Sequence, residues 1–239
     1  MKRTSLIKVI FVSVILLSGI CATNQDSLST TLSQVGTEDA MTSKTSKLAQ
    51  QLINREYGEF FTYPAHDKTI DAIWNTPGNP EALEALVNDK SAPTEARFLA
   101  ADILFSRNFT VLLRTDLLED LANIYAEALV NNYTENANSW GLLYEFNQSG
   151  PVGNRFLMMG EAALPVLVRL LDNESISVTY EGSETATIGN MYHFRVKDFA
   201  AFYISSITGI PVQFHREIDK RDTEIEKLKS LLDERFKNK

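Results

Sequence analysis

The chain has 239 residues, 44% hydrophobic and 23% charged, which is enough apolar material for a sizeable core and too much for disorder throughout. Lys plus Arg numbers 23 against 31 for Asp plus Glu, a net charge of −8; Lys2, Arg3 and Lys8 sit in the first eight residues, so the remainder carries −11. A body that acidic repels phosphate backbones and is a poor nucleic-acid binder, and a single cysteine excludes a disulfide framework.

Residues 1–22 combine a cationic start, an apolar run from Val9 broken by Ser13, and small residues Ser18 and Gly19. That is the layout of a bacterial export signal, and the 12-residue stretch from Val9 to Ile20 is shorter than the roughly 20 residues of a spanning helix. Leu17-Ser18-Gly19-Ile20-Cys21 resembles the lipobox of bacterial lipoproteins, with Ile20 standing where that class has a small residue. Three outcomes stay open: Cys21 carries a lipid, a cut after Ala22 discards it, or it stays in the mature protein as a free thiol. In the first two the folded domain has no usable thiol for catalysis or zinc. Residues 23–46 hold 11 Ser or Thr and no aromatic residue, and read as a flexible leader. The folded domain is expected over 47–239.

From Lys47 the text is helical in period. Leu48, Leu52, Ile53, Tyr57, Phe60 and Phe61 predict one helix of about four turns, ended by Tyr63-Pro64. Helices are then expected at Asp67–Trp74, Glu81–Asn88 (with Asn79 capping and Pro80 opening it), Thr94–Ser106 and Leu117–Val130. After a loose, turn-rich stretch ending in Gly150-Pro151, helical text runs from Asn154 to Asp172 with a break near Gly160. Residues 173–191 differ: Ile176, Val178 and Tyr180 alternate with polar residues and glycines bracket Ser, Thr and Glu, which predicts a small loop or β-hairpin insert. Helices near Tyr192–Ile207 and Gln213–Phe236 complete an all-α pattern with no βαβ alternation.

Two segments resemble each other. Ala96-Arg97-Phe98-Leu99-Ala100-Ala101 and Val196-Lys197-Asp198-Phe199-Ala200-Ala201 share a cation, a bulky apolar residue and an Ala-Ala step, and each follows a leucine-patterned helix. An Ala-Ala step lets two helices approach closely while Leu and Val interdigitate. With Gly160-Glu161-Ala162-Ala163-Leu164-Pro165 upstream of the second, the chain resembles the HEAT-repeat class of α-solenoid proteins. The resemblance implies antiparallel helix pairs in an irregular solenoid or α-α superhelix, and a role in holding proteins. The two units are not adjacent, and the second carries an insert of about twenty residues.

The insert and its flank concentrate recognition chemistry: Tyr180, Ser183, Thr187, Asn190, Tyr192 and Arg195 are candidate partner contacts. The competing reading pairs Arg195 with a nearby carboxylate and assigns the hydroxyls to turns. Trp140 reads as a core plug or a stacking platform. Arg221 interrupts the a/d seam of the last helix, which favours a helix laid on the body over a coiled coil. No nucleophile elbow, P-loop, dinucleotide fingerprint or paired-histidine helix occurs, so neither metal nor cofactor is expected. The expected function is an exported, non-enzymatic binding or scaffolding protein of the bacterial envelope. Its partner would be another envelope protein, and it would meet the membrane only through a lipid on Cys21. The alternatives are an exported hydrolase with a site near His66 or His193, and an acidic inhibitor or immunity-type protein.

Overall fold

A computed structural model describes residues 41–62, 65–112, 114–144, 148–176, 178–182 and 184–237. The export signal with Cys21, the leader up to residue 40, the Tyr63-Pro64 stop and Ser183 lie outside the described residues. Among the described residues no helix is long and apolar enough to cross a membrane.

The fold is all-α, with helices packed in antiparallel pairs. Helix α1 covers 41–53 and buries Thr45, Leu48, Ala49 and Leu52 on one face. Residues 41–46, read from composition as leader, therefore belong to the domain. The single helix expected from Lys47 to Phe61 is broken at 54–57, and α2 (Gly58–Phe61) is a separate turn. The break turns Tyr57 toward Glu95, to which its hydroxyl donates at 2.5 Å, and stacks Phe61 on Phe98 with ring centroids 5.8 Å apart.

Helices α3 (Ala65–Trp74) and α4 (Asn79–Asn88) are joined through Gly78 in the left-handed region, φ 73°, which suits glycine. Pro80 sits at the start of α4 as predicted, but Asn79 does not cap it. Its buried amide reaches back to the carbonyl of Ile73 at 2.9 Å. Helices α5 (Thr94–Asn108) and α6 (Thr115–Asn131) follow, then a two-residue antiparallel ladder, β1 (Gly141–Leu142) with β2 (Gln148–Ser149). The expected break near Gly160 separates α7 (Asn154–Met159) from α8 (Leu164–Leu170), with a 3₁₀ turn between them.

Of the two forms expected for 173–191, the loop is the one found. Residues 173–182 run without a strand partner, and α9 (Glu184–Asn190) is helical. Of the alternating residues Val178 and Tyr180 are buried with Thr179 exposed between them, but Ile176 is exposed, and the described residues of the segment pair with no second strand. Helix α10 (Val196–Thr208) packs on α8, Gly209 caps it at φ 74°, and α11 (Ile218–Lys237) lies on α10 through Ile225, Leu228 and Leu232.

The core runs through both halves. Phe98, Trp140, Phe156 and Tyr203 form a chain of rings with centroids 4.9 to 6.4 Å apart, and the Tyr203 hydroxyl donates to the Trp140 carbonyl at 2.8 Å. Trp140 is fully buried, so it is a core plug and not a platform for a ligand.

Candidate interaction surface

The insert leaves and rejoins the fold at one place. Just after α8, Asn173 Oδ1 accepts from the backbone N–H of Ser175 at 2.9 Å and from its hydroxyl at 2.6 Å, which makes an Asx turn. The N–H groups of Val196 and Lys197, which open α10, donate to the carbonyls of Ser175 (2.9 Å) and Asn173 (3.0 Å). Residues 176–195 are thus a loop whose two ends are hydrogen-bonded together.

Two asparagines fasten its outgoing limb. Asn190 of α9 accepts from the Tyr180 N–H at 2.7 Å and donates to the Tyr180 carbonyl at 2.9 Å. Asn138 does the same to Glu181, at 3.1 and 3.2 Å. A carboxamide holds a donor and an acceptor side by side, so each can stand in for a neighbouring strand. Ala137 adds a backbone bond to the Thr179 carbonyl at 2.7 Å. Tyr180 packs edge-on against Tyr144 with centroids 5.0 Å apart, and its burial pushes the phenol's pKa well up. Gly189 slides beneath both rings: a Cβ there would lie 2.5 Å from Tyr144 and 2.6 Å from Tyr180.

The returning limb is held from below. Arg221 of α11, fully buried, donates to the carbonyls of Tyr192 (2.8 Å), His193 (3.3 Å), His215 (2.8 Å) and Arg216 (3.0 Å), and to Asp198 Oδ1 (3.2 Å). Its guanidinium sits 4.9 Å from the centroid of Phe194, a cation–π contact. Arg195 bridges Asp198 and Asp222, and Lys197 binds Glu174 and Asp222, each at 2.9 Å. Three cations and three carboxylates therefore balance in one network. The Arg195 hydrogen bonds, with help from Lys197, hold the Asp222 carboxyl down at about 2.

These contacts revise the candidate residues. Arg195 is buried and fully engaged with Asp198 and Asp222, so it is a structural ion-pair partner and not a free partner contact. Tyr180 and Asn190 are likewise committed to building the insert. Tyr192 is half-buried and stacked on Phe194 at 5.1 Å, Thr187 is exposed on α9, and Ser183 lies outside the described residues.

Among what the insert offers outward are large apolar side chains. Ile176, Ile188 and Met191 are 55%, 43% and 48% exposed, three of the nine large apolar side chains exposed among the described residues. Of the three, Ile176 lines an open cavity of about 250 Å³, together with Val178, Tyr180, Gly189, His193 and Phe194 among others. Among the described residues no carboxylate lines that cavity, where His193 is exposed with a left-handed backbone (φ 49°). His66 lies 3.1 Å from Asp67 on the surface of α3. Among the described residues no three His, Cys, Asp or Glu side chains gather as metal ligands. Sequence reasoning marked Arg221 only as a break in the seam of the last helix, and did not single out Asn138 or Asp222, nor the outward-facing Ile188 and Met191. Comparison of the chain with family models, with curated proteins and with solved structures returned no match.

Proposed function

We propose that the protein is an exported, non-enzymatic binding or scaffolding module of the bacterial envelope, in which HEAT-like helix pairs carry the 176–195 insert as a protein-interaction surface. The observation that carries this reading is the exposure of Ile176, Ile188 and Met191 on a loop fastened at its base, its outgoing limb and its return. Apolar side chains exposed together beside an open cavity favour a partner that covers them. A loop already held in one shape loses little freedom on binding. Tyr180, Asn190 and Arg195 are committed to building the insert, which fits recognition better than acid–base chemistry. Export rests on the first 22 residues, and attachment to a membrane rests on whether Cys21 is kept and lipidated.

A photo-crosslinking residue placed at Ile188 in cells, with Lys68 on α3 as the control position, tests the interaction surface. A discrete protein adduct from position 188 and none from 68 is expected. Identical patterns from both positions, or no adduct from 188, would overturn the proposal. Mass analysis of the mature amino terminus decides separately between a lipidated Cys21 and cleavage after Ala22.

A further inference from the structure

Resting on that reading, we infer that the partner presents apolar side chains flanked by lysine or arginine: a basic, amphipathic segment of another protein. The stretch from Asn173 to Phe194 contains Glu174, Glu181 and Glu184 and neither Lys nor Arg. Glu174 is engaged by Lys197. Glu181 and Glu184 are exposed on either side of Gly182, next to the limb and helix that carry Ile176, Ile188 and Met191. The cation at the far edge is Arg216, held 3.9 Å from the Met191 sulfur. Glu184, Ile188 and Met191 follow one another at helical spacing along and just after α9, so the surface is an apolar stripe with a carboxylate at one end and Arg216 at the other, on a helix that also lines the Ile176 cavity through Gly189 and Asn190, and on a body of net charge −11 once the first 22 residues are set aside.

Such a carboxylate selects by sign. Apolar contact supplies attraction to many surfaces, whereas like charge at the rim rejects acidic ones and opposite charge speeds encounter with basic ones. Anionic lipid and nucleic acid are disfavoured by the same charges. The limb that bears Glu181 is held at its backbone by Asn138, so this carboxylate is presented in a fixed place and not on a loose loop. A segment with a branched apolar residue for the cavity and a cation on its carboxylate side fits this surface.

The test uses three fluorescent twelve-residue peptides, built from Leu and Lys, from Leu and Glu, and from Ser and Lys. Binding to the full domain is read by polarisation at low and high salt. The Leu/Lys peptide is expected to bind at least about tenfold more tightly than either control and to weaken with salt. Glu181→Gln with Glu184→Gln should remove most of the salt dependence. Ile188→Ser with Met191→Ser should lower affinity about tenfold without changing thermal stability, because both side chains are exposed. Equal binding of the Leu/Glu peptide, or binding indifferent to both double variants, would overturn the inference, as would stronger binding to vesicles of phosphatidylcholine and phosphatidylglycerol than to the peptide. An adduct from position 188 together with failure of the peptide set would sink the charge rule alone, since crosslinking does not depend on the partner's charge.

Discussion

The α4–α5 pair and the α8–α10 pair are built on the same joint and differ in what has been let into it. In the first, Asp89 Oδ1 accepts from the Ser91 N–H at 2.9 Å and from its hydroxyl at 2.6 Å. In the second, Asn173 and Ser175 repeat both bonds at the same distances. The equivalent cations of the second helices also tie back to the end of the first. Arg97 donates through two nitrogens to the Val87 carbonyl, at 3.0 and 2.8 Å, and Lys197 donates its backbone N–H to Asn173 and its ammonium to Glu174. One joint closes in five residues, Asp89 to Pro93; the other opens after Ser175 to admit twenty and closes again at Val196. The insertion leaves the joint intact, so the helix pair does not depend on it for its geometry. The cost is transferred to distant elements: α11 supplies Arg221, and the segment before β1 supplies Asn138.

That comparison breaks most visibly at the buried charges. Asp198→Ala leaves Arg195 and Arg221 facing each other in a dry site and should cost about 3–5 kcal/mol. Asp120→Ala, which removes the half-exposed partner of Arg97 while the Val87 carbonyl remains, should cost about 1 kcal/mol by the same denaturant titration. Equal losses would mean that the second pair carries no special electrostatic burden.

The next effect is steric. Gly189→Ala forces a Cβ against Tyr144 and Tyr180 and should destabilise the protein by about 1–2 kcal/mol, after allowing for alanine's better helix propensity. Hydrogen exchange should rise at 178–190 and stay unchanged in the α4–α5 turn. A uniform rise would show the insert and the body opening as one unit.

A smaller effect appears in acid. The Asp222 carboxyl is depressed to about 2 from 3.8 by its bonds to Arg195 and Lys197. Its contribution is therefore complete above about pH 4 and is lost as the pH falls through 2. Because the side chain is 37% exposed, solvent screening reduces the contribution to about 1 kcal/mol. Asp222→Asn should flatten that part of the stability curve between pH 4 and 2.

The smallest differences sharpen the likeness of the joints. Asp89→Ala and Asn173→Ala should cost about 1 kcal/mol each, because each removes the same two bonds. Of the two turn-forming side chains only Asp89 can take up a proton, and the hydroxyl and N–H of Ser91 hold its carboxyl below its usual range. Those bonds are present above the ordinary carboxylate pKa and lost below the depressed one. The Ser91 amide resonance should shift in acid while that of Ser175 does not.

The helical scaffold was legible because its signals are local and repeated. Leucine spacing, the Ala-Ala steps at 100–101 and 200–201, Pro80 and Gly209 all act within a turn or two of themselves. The insert was less so. Its helix α9 is written in Thr and Gly, poor helix formers stabilised here by Asn190 and by packing under two tyrosines. The burial of Val178 and Tyr180 imitates a strand, yet the partner is two side-chain amides and no strand at all. That Arg195 pairs with a carboxylate was readable as one of two alternatives, but that Asp222, 27 residues later, joins Asp198 beside it was not. The matching Asp89-Lys90-Ser91 and Asn173-Glu174-Ser175 were readable, but a repeat sought in apolar residues passes over a repeat held in polar ones.

The two backbone bonds from Val196 to Ser175 and from Lys197 to Asn173 make that junction a socket. A loop whose ends already meet adds little to the entropy of the chain that carries it, since each doubling of its length costs only about 0.6 kcal/mol. Different loops could be seated there while the helices on either side keep their places, so a lineage built on this scaffold could change what it binds without relearning how to fold.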